Sequence, residues 1–198
     1  MTGATRVTIW RAHSYRRQPM NPRTIALRDG RTLLIRVAVP DDAAAILVYL
    51  EAVSGESDFL TFGPGEFELD EAQEAAYLRH AQAAPDQLYI IGTIDGEIIA
   101  SLTFSLGRRQ RTRHSGEFAL AVRAACWGLG IGALMLDALK DWARANGTVR
   151  KIALKVRTDN ARGIALYRRL GFVTEGTLRR EICVDGVYYD LLYMGLQL

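Results

Sequence analysis

The sequence predicts one α/β domain: a single mixed, mostly antiparallel central sheet of about seven strands flanked by about four helices. Three observations carry this. The chain has 198 residues, about one domain at ~100–200 residues each. Short runs rich in Val, Ile and Leu alternate with stretches whose apolar residues recur at helical spacing. Two Asp-Gly pairs, Asp95-Gly96 and Asp185-Gly186, each sit between apolar runs, where a two-residue hairpin turn belongs.

Composition narrows the class. With 49% hydrophobic and 24% charged residues, the chain reads as an ordinary globular protein. A chain of this size buries roughly 70% of its unfolded surface and needs no staple. No uncharged apolar run reaches the ~18 residues of a membrane span. Cys126 and Cys183 form no CxxC and have no neighbouring His. That points to a reducing compartment, hence the cytoplasm, and away from a structural metal.

The elements follow in order. Residues 31–39 are β-rich and end at Pro40, as a strand should. Asp41-Asp42 then caps a helix with Ile46, Leu47 and Leu50 on one stripe. Residues 54–65, punctuated by Gly and Pro, form a long loop holding Phe59 and Phe62. Asp70 caps a second helix to about residue 83, before Pro85. Residues 88–94 and 97–106 form a hairpin about Asp95-Gly96; 108–113 is a basic loop, and 116–122 alternates as a strand. Ile131, Met135, Leu139 and Trp142 define a long helix, stopped at Asn146-Gly147. Residues 151–156 form a strand and 160–170 a helix, and two last strands flank Asp185-Gly186.

Residues 1–23 hold Arg6, Arg11, Arg16, Arg17 and Arg23 and no acid, which accounts for the net charge of +3. Without the apolar core of a secretory signal, they read as a disordered basic extension ahead of a domain spanning 24–198. The near-neutral remainder gives no electrostatic reason for nucleic acid, and the basic loop has no interleaved aromatic to stack bases.

Two segments carry chemistry. Trp127-Gly128-Leu129-Gly130-Ile131-Gly132-Ala133 lies between a strand and the long helix. Small residues there let backbone N–H groups approach an anion, and the positive helix end favours phosphate. The run departs from the dinucleotide fingerprint at Ala133, and no Lys-Ser/Thr follows as in a P-loop. Alone it fits a phosphate cradle or merely a tight turn. In the helix from Asn160, Tyr167 lies seven positions on and shares a face with it. Such a Tyr fits a core residue as well as a proton donor.

Taken together and in this order, the two segments resemble the GNAT superfamily of acetyl-CoA-dependent N-acetyltransferases. Gly130 and Gly132 match the glycines of its R/Q-x-x-G-x-G/A loop. Asn160 to Phe172 matches its N-x-x-A-x-x-L-Y-x-x-x-GF helix, with Gly163 in place of Ala. The resemblance covers about residues 31–198. It departs at Trp127, where Arg or Gln is usual, which puts that side-chain contact in doubt but not the backbone cradle.

The resemblance implies acetyl-CoA as cosubstrate, no metal, and direct transfer, through a ternary complex, to a primary amine of a small molecule or protein N-terminus. The alternative is a non-catalytic acyl-CoA-binding module on the same fold. The ending, with Glu175-Gly176, Asp185-Gly186 and Tyr189-Asp190, resembles the branch of ribosomal-protein alanine, polyamine and amino-acid acetyltransferases. Dimers are common in the family, so a homodimer is among the implied states.

Residue by residue, the resemblance implies that Leu120, Ala121 and Val122 lie along the pantetheine, where two strands splay. Trp127, Gly128, Leu129, Gly130, Ile131, Gly132 and Ala133 would cradle the pyrophosphate, and Asn160 would hold the cofactor or the helix start. An alkyl ammonium titrates near ~10 and a thiol near ~8.5, so the amine must lose a proton and the departing thiolate must gain one. Tyr167 stands at the family's position for the acid. Glu117 is the candidate base, with His114 or a water chain as rivals. The loop carrying Glu56, Phe59, Phe62 and Glu66 would cover the amine, two acids beside two aromatics. Cys126 reads as a small buried hydrophobe, since direct transfer needs no acyl-enzyme.

Overall fold

Asp95-Gly96 and Asp185-Gly186 both turn as the sequence predicts, with all four residues at positive φ between 49° and 85°, the geometry of a type I′ hairpin. The computed structural model describes residues 20–67 and 69–198. In chain order it contains β1 (Arg23–Ala26), β2 (Thr32–Val37), α1 (Ala43–Ser54), α2 (Glu71–Ala83), β3 (Gln87–Ile94) and β4 (Glu97–Leu106). There follow β5 (Ser115–Val122), α3 (Ile131–Asn146), β6 (Lys151–Arg157), α4 (Ala161–Arg169), β7 (Val173–Val184) and β8 (Val187–Gln197).

Strand β1 brings the sheet to eight strands, one beyond the expectation. It pairs with β2 through a turn at Asp29-Gly30, where Gly30 has φ +87°. That is the third Asp-Gly pair in the chain, and Leu27 beside it is buried in the core. The extension expected over residues 1–23 lies, up to residue 19, outside the described residues. Met20 packs on the core, and Arg23 opens β1 with its guanidinium 3.0 Å from Asp141.

Helix starts follow their caps in two of three cases. Asp70 accepts from the Gln73 amide at 2.8 Å while the Gln73 side chain returns to the Asp70 amide at 2.9 Å, a reciprocal cap on α2. Asn160 Oδ1 accepts from the Gly163 amide at 2.8 Å and starts α4. Asp42, the expected cap of α1, makes no cap bond. Its carboxylate accepts a two-pronged contact from Arg36 at 2.6 and 2.7 Å and the Val39 amide at 2.8 Å, holding a 3-10 turn ahead of the helix.

The sheet order is β1-β2-β3-β4-β5-β6-β8-β7. Every neighbouring pair is antiparallel except β5 and β6. On one face, α3 and α4 cover a core that includes Ile90, Leu102, Phe104, Met135, Leu139 and Ile164. On the other, called the front here, α1 and α2 cover Tyr89, Ile91 and Ile98 with Ile46, Tyr49 and Leu78. The predicted stripe of α3 is the buried one.

Candidate active site

The parallel pair is the weak point of the sheet. Strands β5 and β6 pair only from Ser115–Lys151 to Glu117–Ala153, although both run on for several residues. Beyond Glu117 they separate. The ladder to β4 decides which backbone groups face the gap. The Gly107 amide donates to the Ser115 carbonyl at 3.0 Å, and the Arg123 amide to the Ile99 carbonyl at 2.9 Å. Odd positions of β5 therefore point to β4 and even positions to β6; Phe118 N–H closes the last rung, on Ala153, and beyond it the backbone groups of Leu120 and Val122 turn toward the open edge. Ala121 faces β4 instead, and its carbonyl also accepts from the Tyr49 hydroxyl at 2.9 Å.

The gap leads up to the glycine run. After a 3-10 turn at Ala124–Cys126, Gly128 and Gly130 take φ +86° and +83°, with nothing within 4 Å of where a Cβ would stand. The left-handed backbone and open space are what a close anion needs. Ala133 and Leu134 already bond the Gly130 carbonyl, while the amides of Ile131 and Gly132 are first-turn donors without a helical acceptor. At Gly132 a Cβ would come 3.1 Å from Leu166 Cδ2, so this glycine also seats α3 against α4. Trp127 is 43% exposed and donates from Nε1 to the Val122 carbonyl at 2.7 Å. The Arg162 guanidinium lies 4.9 Å over its ring.

Two titratable groups flank the vertex of the gap from opposite faces. Phe118 makes edge contacts with Tyr167 and Phe172, centroids 5.9 and 5.8 Å away, so it points to the α4 side. Glu117, one residue earlier, points to the front. Burial pushes the Tyr167 phenol up to about 12. Glu117 is exposed and is the last β5 residue paired with β6. Burial first, and then the nearby Glu117 carboxylate, raise the Tyr193 phenol. His114 sits on the loop at the closed end, exposed, three residues before Glu117, or about 10 Å along a strand.

An acetyltransferase (GNAT) family model matches residues 56–172, more than half of the chain. The chain belongs to the GNAT family. Its members are acetyl-CoA-dependent N-acetyltransferases. An L-amino acid N-acetyltransferase of Escherichia coli is 30% identical over 110 residues, covering 54% of this chain and 65% of that protein, so the match spans just under two thirds of that relative. A GNAT acetyltransferase from Streptococcus pneumoniae superposes with a TM-score of 0.81 at 30% identity, over 84% of this chain and 99% of that one. The yncA structure from Salmonella typhimurium, solved with its cofactor acetyl-CoA, has a TM-score of 0.73 at 24% identity, covering 84% and 94%, and shares the fold.

The strand gap and the glycine run lie side by side, while the four side chains of the α1–α2 loop singled out in the sequence mostly turn to partners within the protein. Glu56 accepts from Arg123 Nε at 2.8 Å and the Ala124 amide at 2.6 Å, so its carboxylate is occupied. Glu66 turns back onto the Gly63 amide at 2.9 Å, and Phe62 packs edge-on against Phe67 at 5.0 Å. Glu56 thus lies at the far end of β5, and Phe59 reaches the far end of β6, against Arg157 at 4.9 Å. Cys126 is buried, as expected.

Three residues escaped sequence reasoning: Arg123, Arg157 and Arg162. Arg162 carries a signal within the helix motif, two positions after Asn160, and supplies a cation beside the loop where Trp127 has replaced one. Among the described residues, no cluster of three His, Cys, Asp or Glu is placed to hold a metal, and no helix is long and apolar enough to cross a membrane.

Proposed function

We propose that the chain moves the acetyl group of acetyl-CoA directly to a primary amine, of a small molecule or a protein N-terminus, held on the front face at the vertex between β5 and β6. The observation that carries this is the gap itself: a strand edge whose Leu120 and Val122 N–H groups face no partner strand, running from a front-facing carboxylate to a left-handed glycine loop. Acetyl-CoA supplies the thioester. The N–H groups of Leu120 and Val122, past the last rung of the β5–β6 ladder, hold the pantetheine arm and polarise the thioester carbonyl, as preorganised donors do. The amides at Ile131 and Gly132, with Arg162 beside them, take the pyrophosphate.

Glu117 accepts the ammonium proton, directly or through one water. It is favoured over His114 because it stands where the strands part, on the side open to an acceptor. Tyr167, from the other face, donates to the departing thiolate; its phenol is raised by burial, so it stays protonated at any working pH. Cys126 and Cys183 are free thiols, which fits a reducing cytoplasm. The test is thiol release from acetyl-CoA against a panel of amino acids, polyamines, aminoglycosides and N-terminal peptides. Acceptor-dependent release with an acetylated amine detected by mass supports the proposal. CoA binding with no turnover on any amine overturns it in favour of a binding module.

A further inference from the structure

The two strands that part at Glu117 have no ladder between their far ends, yet those ends are joined. The α1–α2 loop crosses from one to the other within three residues. At its first anchor, Glu56 grips the end of β5 through Arg123 Nε and the Ala124 amide, at 2.8 and 2.6 Å. Ala124 opens the 3-10 turn that leads into the glycine loop. At its second anchor, the Asp58 carbonyl accepts from Arg157 Nη1 at 2.8 Å, and Arg157 is the last residue of β6.

Arg157 is itself fixed on every side. It is 6% exposed, its Nε and Nη2 reach the two oxygens of Asp159 at 3.0 and 2.7 Å, and its guanidinium lies between the Tyr189 ring at 3.5 Å and the Phe59 ring at 4.9 Å. A planar, five-donor cation suits this combination of fork and stack, and a lysine does not.

We infer that residues 56–59 are a strap that sets the width of the cofactor gap, with Glu56 and Arg157 as positioning residues for acetyl-CoA. Two residues of extended chain reach at most about 7 Å, only somewhat more than the ~4.8 Å between paired strands. With one rigid side chain at each end, the strap has little slack. Cutting either anchor lets β5 and β6 drift, and the backbone donors at Leu120 and Val122 lose their spacing from the opposite wall. Neither side chain touches the cofactor in this account, which rests on the acetyl-CoA reading above.

The decisive property of a strap is that one cut releases it. Glu56→Ala and Arg157→Lys should each weaken CoA binding about 10-fold by calorimetry, and the double variant should be no weaker than the poorer single one. Glu56→Gln, which keeps an acceptor for the Ala124 amide but loses the charge, should fall between wild type and Glu56→Ala. The KM for acetyl-CoA should rise with these losses while kcat at saturation stays within a few-fold. Folded variants that bind CoA like wild type, or single losses that multiply in the double variant, overturn the strap. A wild-type protein that does not bind CoA overturns the acetyl-CoA reading and the strap with it.

Discussion

Replacing Tyr167 by Phe tests the chemistry with the least disturbance to the fold. The ring sits in a three-ring cluster, 5.9 Å from both Phe118 and Phe172, and phenylalanine keeps all of that packing. None of the side-chain hydrogen bonds among the described residues uses the hydroxyl, so no net ~0.5–1.5 kcal/mol bond is lost. A melting point within the ~2–4 °C that 1 kcal/mol shifts in a chain of this size is therefore expected.

The rate should behave differently. A positioned acid is typically worth ~100- to 10,000-fold, or about 2.7–5.4 kcal/mol at 1.36 kcal/mol per tenfold, and a fall in kcat of at least tenfold is expected. Burial takes the phenol to about 12, well above the ~8.5 of a free thiol. Such a phenol gives its proton fully only to a thiolate that is itself desolvated, and the aromatic wall that raises the one raises the other. Stopped-flow or steady-state thiol release, with CoA affinity measured alongside, separates the effects: kcat falls and affinity stays. No alkaline loss of wild-type kcat assignable to this phenol should appear below pH ~10. A folded Tyr167→Phe with full kcat refutes the acid role, and a melting point many degrees lower shows that the hydroxyl serves the fold.

Glu117→Gln should lower kcat/KM at neutral pH and recover in part at high pH, where more amine is already neutral; an unchanged pH–rate profile transfers the role to His114 or a water chain. Gly130→Val should weaken CoA binding by about tenfold in calorimetry, because a β-branched residue resists φ +83° even though no neighbour would touch its Cβ; unchanged affinity removes the pyrophosphate assignment. Glu74 is 2% exposed with Oε1 unpartnered, and burial raises its carboxyl above the usual range. Such a group is harmless while protonated and destabilises as pH rises past its unfolded value near ~4.3, so Glu74→Gln should stabilise by about 1–3 kcal/mol at pH 7 and by less at pH 5; equal gains in melting point at both would refute this.

What could be read from the sequence was local. Reciprocal capping by Asp70 and Gln73, the Asn160 cap and the Asp-Gly turns each concern residues within a few positions, so composition and spacing suffice. Strand β1 was missed although Asp29-Gly30 carries the same turn chemistry as the two hairpins that were found: its strand is only four residues, too short for alternation to register. Asp42 failed as a cap because Arg36, a residue on a neighbouring strand, offers its carboxylate a two-pronged partner that a backbone amide cannot match.

The site divides along the same line. The conformations of Gly128, Gly130 and Asn160 follow from their own backbone or a neighbour's. The placement of Glu56 and Phe59 does not, because these side chains answer to Arg123 and Arg157, far away in sequence. Glu56 resembles an amine-binding acid until Arg123 is folded against it. The same pairing logic then narrows the acceptor side. Along β6, from the closed end to the mouth, Lys151 holds Glu175, Lys155 holds Glu181 and Arg157 holds Asp159. Among the described residues, Glu117 has no such ion pair. An incoming ammonium therefore meets, where the strands part, a carboxylate that no cation holds in an ion pair, although Lys151 and Lys155 lie near enough to be raised by it.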